Sequence, residues 1–83
     1  MPRFHINIHN GTGETRDEEG QDFPGLAEAE RSAIEGVRSI LGEEVSSGRI
    51  DLSGRVEITN PAGEILCTIP FGEAVRLQRP ATK

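Results

Sequence analysis

Apolar and polar side chains alternate along the first stretch of the chain, with Phe4, Ile6 and Ile8 on one side and His5, Asn7 and His9 on the other. A period of two predicts a strand with one buried face. Asn10, Gly11, Thr12 and Gly13 follow as a turn cluster, and Glu14 to Glu19 is expected to return as a short, very polar second strand with no apolar residue of its own. Gly20 to Gly25 reads as a connector whose single large apolar side chain is Phe23, and Pro24 turns it away from helix.

The period then changes. Leu26, Ala29, Ala33, Val37, Ile40, Leu41 and Val45 recur at threes and fours, and Ile34 widens the stripe, which predicts an amphipathic helix with a charged outer face. Gly25 serves as its N-cap, and Glu28 sits near the positive end of the dipole. Ser46, Ser47 and Gly48 end it, with Gly48 expected in the left-handed conformation. Gly36 and Gly42 each cost about 0.5 to 1 kcal/mol relative to alanine, so the helix depends on packing against a sheet.

After a connector from Ile50 to Gly54, alternation resumes. Arg55 to Thr59 carries Val56 and Ile58 on one face, Asn60 to Gly63 forms a tight turn, and Glu64 to Ile69 runs back. On that returning strand Ile65, Cys67 and Ile69 are expected to share a face, with Leu66 and Thr68 on the other. Pro70 ends the strand. Phe71 to Leu77 predicts a short helix laying Phe71, Ala74 and Val75 over the end of the core. The class is therefore α+β, one long helix packed on a small, mainly antiparallel sheet of three to four strands. Residues 1–77 form one domain, and 78–83 are expected to be a disordered tail.

Composition narrows this. Among 83 residues there are 8 Ile, 5 Leu, 4 Val and 3 Phe, enough for a core but a thin one, and self-association would bury surface that a single copy cannot. One cysteine, Cys67, excludes a disulfide scaffold. The opening Met1-Pro2-Arg3 leads into alternation with neither the apolar run of a signal peptide nor a membrane span, so a cytoplasmic location is expected. The net charge is −5, with residues 1–24 and 25–48 each at −3 and the remainder at +1. Phosphate repels such a chain, and neither nucleic acid nor membrane is expected as a partner.

Candidate chemistry fails on spacing. His5 and His9 suggest a metal, but four strand residues span about 13 Å, too far for two ligands of one ion. Asp17, Glu19 and Gly20 match the third, fifth and sixth positions of a calcium loop, yet Thr15 and Leu26 stand at the first and twelfth, where carboxylates are required. Gly11 and Gly13 lack the lysine and helix of a phosphate loop. Cys67, mid-strand between apolar neighbours, reads as a buried, inert thiol. No catalytic residue, metal ligand or cofactor is expected.

Several segments together carry a resemblance: Met1-Pro2-Arg3-Phe4 with the alternating strand, Asp17-Glu18-Glu19-Gly20 before Phe23-Pro24 and Leu26, Ser47-Gly48-Arg49 with Leu52, and Thr68-Ile69-Pro70-Phe71 with Ala74-Val75. Over nearly its whole length the chain resembles a group of small bacterial proteins known only as a domain of unknown function, which implies almost nothing about activity. That family has an acid before the helix leucine, where Gly25 stands here. Under half of the chain, through Gly20, Phe23, Pro24, Leu26, Ala29 and Ala33, also resembles the partner-binding domain of HicB-type antitoxins, a hint about fold alone.

The leading expectation is a non-enzymatic interaction or dimerisation module, a homodimer whose acidic surface of Asp17, Glu18, Glu19, Glu28 and Glu35 engages a protein partner. One alternative is an antitoxin-like, toxin-neutralising protein. Another is a small metal-dependent enzyme using His5, His9 and the acidic arm, which requires those side chains to converge in one pocket.

Overall fold

The computed structural model describes residues 2–11 and 13–76. Leu77 and the tail expected over 78–83 lie outside the described residues. In chain order the elements are β1 (Arg3–Asn10), β2 (Gly13–Thr15), β3 (Gln21–Asp22), α1 (Leu26–Ser46), β4 (Arg55–Thr59), β5 (Ile65–Pro70) and α2 (Phe71–Arg76). The class is α+β as the patterning predicts.

All pairings are antiparallel, in the order β2-β1-β4-β5. The two-residue β3 pairs with the first residues of β1, Arg3↔Asp22 and Phe4↔Gln21, while β2 pairs with its last, Ile8↔Thr15 to Asn10↔Gly13. The sheet thus has five strands rather than three or four. The polar return expected over Glu14 to Glu19 is split: only Gly13–Thr15 pairs, the chain then leaves the sheet, and it re-enters as β3 inside the stretch expected to be a connector.

Helix α1 lies over β1 and β4. Its buried positions, Ala29, Ala33, Val37 and Leu41, repeat every four residues, and small alanines bring the helix close to Val56 and Ile58, both fully buried. Gly25 offers no side-chain cap, as its composition dictates, and Gly48 has φ +84°, the left-handed value glycine accepts without strain. The stripe ends earlier than the periodicity implies: Leu41 is the last buried position of the helix, and Val45 is 60% exposed. Phe23 is buried beside Phe4, ring centroids 6.1 Å apart, which anchors the connector leading into α1.

Two glycines are required by contact. A side chain on Gly54 would meet the His9 carbonyl and the Phe71 ring, each at 2.6 Å. Gly20, at φ +76°, lies against His5 and Arg3, 2.9 Å from where its Cβ would stand. In α2, Phe71 and Ala74 are buried, whereas Val75, expected beside them, is 43% exposed.

The face expected for β5 needs correction. Ile69 opposes Val56 and Cys67 opposes Ile58, but the register slips there and Ile65 opposes Thr59. This bulge leaves Leu66 with no opposite number on β4 and takes Ile65 off the core face that Cys67 and Ile69 share. Ile65 is 57% exposed and Leu66 42%.

Candidate interaction surface

The face of the sheet away from α1 carries the polar positions of β1, and each of these grips the chain between Glu14 and Asp22. Arg3 donates from Nε to Asp22 Oδ1 at 3.2 Å and from Nη1 to the Glu19 carbonyl at 2.7 Å. His5 Nδ1 lies 2.6 Å from the Asp17 carbonyl. Since a carbonyl can only accept, Nδ1 carries the proton. Asn7 Oδ1 accepts from the Asp17 N–H at 2.8 Å.

Asp17 is the centre of this arrangement. Its Oδ2 accepts the Ile6 N–H at 3.2 Å, in the gap where neither β2 nor β3 reaches β1, and its Oδ1 accepts the Gly20 N–H at 3.1 Å. A carboxylate here replaces a missing strand. It satisfies a backbone donor that would otherwise cost stability, and it turns the chain back toward β3.

His9 completes the row. Its Nε2 lies 3.1 Å from Glu57 Oε1 and 3.7 Å from Glu14 Oε2, while Arg55 and Arg16 flank those two carboxylates at 3.1 and 3.3 Å. The Arg55 hydrogen bond holds the Glu57 carboxyl below its ordinary value, with the charges of His9 and Arg55 adding and partial burial opposing.

The five acidic residues singled out from the sequence therefore separate. Asp17 is committed to the backbone, whereas Glu18 and Glu19 are exposed on the arm, and Glu28 and Glu35 are exposed two turns apart along α1. Glu18 borders an open depression of about 270 Å³ shared with His5, Asn7, Arg16 and Thr59. His9 does not line it. Among the described residues no three His, Cys, Asp or Glu side chains form a metal-binding group. Cys67 is half-buried rather than buried, and its thiol is pushed up to about 11 by burial and by the adjoining Glu30 carboxylate.

The other edge of the sheet is β5. Its sequence, Ile65-Leu66-Cys67-Thr68-Ile69-Pro70, holds no charged side chain, in a chain of which 28% is charged. Among the described residues no strand lies beyond it. An uncharged edge with exposed apolar side chains is what natural sheets usually avoid. Alternation alone could not find this surface, because the bulge reverses Ile65. The grip on the arm did have a sequence signal: Asp17-x-x-Gly20 is the pattern of a side chain accepting a backbone bond three residues on.

Fold and surface together define a small two-layer α+β domain with one edge closed by its own acidic arm and the other, among the described residues, open. Residues 3–72 match the model of the family described as Domain of unknown function (DUF6894), and the chain belongs to that family. No curated protein and no solved structure matches it, and the likeness to antitoxins gains no support from them. Among the described residues no helix is long and apolar enough to cross a membrane.

Proposed function

We propose that this chain is a non-enzymatic protein-interaction module that works by accepting an extended strand along β5. The observation that carries the reading is the contrast in charge and pairing at β5: six residues without a charged side chain, Ile65 and Leu66 exposed, and no strand beyond it among the described residues. Backbone pairing supplies affinity in such a contact, and the exposed side chains supply its apolar part. The exposed carboxylates Glu18, Glu19, Glu28 and Glu35 keep the rest of the surface soluble and favour a basic over an acidic neighbour.

Site-specific photocrosslinking in growing cells tests this. A benzophenone side chain introduced at Thr68 is expected to give a covalent protein adduct, and the same group at Glu18 or Glu35 is expected to give none. Adducts from Glu18 or Glu35 without one from Thr68 would move the contact to the acidic surface and overturn the reading.

A further inference from the structure

The open depression beside the arm holds a polar group that the fold leaves unused. Thr59 lines it and is only 8% exposed, yet among the described residues its hydroxyl has no hydrogen-bond partner. No sealed-in side-chain nitrogen or oxygen among those residues lacks a partner, so this oxygen reaches the surface, and the depression is where Thr59 meets it. A hydroxyl buried this far and left unpartnered points to a group supplied from outside.

The lining around it is held in place. His5 is fixed by its Nδ1 bond to the Asp17 carbonyl and by Gly20, whose Cβ would stand 2.9 Å from the ring. Because Asn7 Oδ1 accepts the Asp17 N–H, the orientation of that amide is set, and its Nδ2 is left over as a donor. Asn60 gives both side-chain polar atoms to Glu64, which makes the turn with Pro61 and Gly63 a wall of fixed shape.

Charge then selects the ligand. The Asp17 carboxylate is committed to the Ile6 and Gly20 N–H groups, but Glu18 has no partner among the described residues, and Arg16 commits only Nε, to Glu14 at 3.3 Å. A lone anion would be repelled by Glu18 and a lone cation by Arg16. An uncharged ligand would draw water from both charges and return only neutral contacts. A flat ring would find nothing to stack on, since the chain has no Trp or Tyr and its three Phe are buried in the core. At about 270 Å³ the depression is smaller than the clefts of about 300 to 1,000 Å³ that hold drug-sized molecules. The ligand is small and carries both signs.

We propose that this depression binds a free α-amino acid with a short, uncharged polar side chain. Its carboxylate is taken by the Arg16 guanidinium and Asn7 Nδ2, its ammonium by Glu18, and its side chain meets the Thr59 hydroxyl. Binding here does not depend on a strand at β5, so either contact can fail without the other.

Amide shifts in an NMR titration of the native protein test this with three probes of nearly one frame: L-serine, 3-hydroxypropionate, which lacks the ammonium, and ethanolamine, which lacks the carboxylate. L-serine is expected to shift the Asn7, Glu18 and Thr59 amides saturably at millimolar concentration. Each truncated probe should bind at least about tenfold more weakly, the worth of one hydrogen bond to a charged group. Glu18→Gln should remove the advantage of L-serine over 3-hydroxypropionate, and Arg16→Gln its advantage over ethanolamine; both side chains are exposed, so the fold tolerates either change. Thr59→Val, which keeps the shape and loses the hydroxyl, should weaken all three probes alike, by about three- to tenfold. Ethanolamine binding as tightly as L-serine would make this a cation site, and 3-hydroxypropionate doing so an anion site; either result overturns the amino acid. No saturable shift around Thr59 with L-serine would overturn the site itself.

Discussion

The two edges of this sheet solve the same problem in different ways. On the β1 side, two short strands cover the ends, and the Asp17 carboxylate covers the gap between them, so the outer backbone of β1 is met by the chain's own arm. On the β5 side a bulge at Leu66 and the missing N–H of Pro70 shorten the edge without covering it. Both strands began with similar alternation. What separates them is the neighbouring sequence: β1 is followed by a polar arm long enough to fold back, whereas β5 runs directly into α2.

Substitutions at the closed edge should break that contrast most severely. Asp17→Ala strips acceptors from the Ile6 and Gly20 N–H groups and is expected to cost about 2 to 4 kcal/mol, read from urea denaturation, because the donors stay behind without partners. The arm should then loosen, and proteolysis within Glu14 to Asp22 should accelerate. Gly54→Ala comes next, at about 1 to 3 kcal/mol, since its Cβ must displace either the His9 carbonyl or the Phe71 ring. A near-wild-type melting curve for either variant would contradict the geometry described here.

A smaller effect concerns Glu57. A carboxyl whose folded value is depressed contributes stability that is present above its ordinary value of 4.5 and is lost as pH falls through the folded value. Glu57→Gln is therefore expected to lower stability at neutral pH by a few tenths to about 1 kcal/mol, and the difference from the native protein should vanish in acid. A difference that persists unchanged to low pH would assign the loss to packing. Smallest of all, Thr68→Lys should shift the stability of a single copy by no more than about 0.5 kcal/mol, since the side chain stands in solvent. So small a change beside those of Asp17→Ala and Gly54→Ala would separate the two edges of the sheet.

Elements that bury a continuous apolar face were legible in the sequence. β1, α1 and the β4–β5 hairpin follow from periods of two and near four, because burial of those faces is what forms them. Strand β2 was legible only as a polar return of uncertain length and β3 not at all, since neither buries a side chain and both are held by backbone pairing to β1, with Arg3 on Asp22 at β3. The open edge was half-legible. The absence of charge in Ile65 to Pro70 is plain in the sequence, but the exposure of Ile65 depends on one extra residue in the ladder, and periodicity carries no trace of that insertion. His5 and His9 read as solvent-facing, and both prove half-buried against the arm and Glu57.

The arm also matters in time. β1 finds its central neighbour, β4, only after α1 has been made, and at ordinary elongation rates the stretch between Asp22 and Thr59 takes about 2 to 7 s to synthesise. Contacts from Arg3, His5 and Asn7 to Asp17, Glu19 and Asp22 are all local to the first 22 residues and need nothing downstream. While the chain waits for its hairpin, the acidic arm can already escort β1, shielding one flank of a newborn apolar strand from its siblings on neighbouring ribosomes.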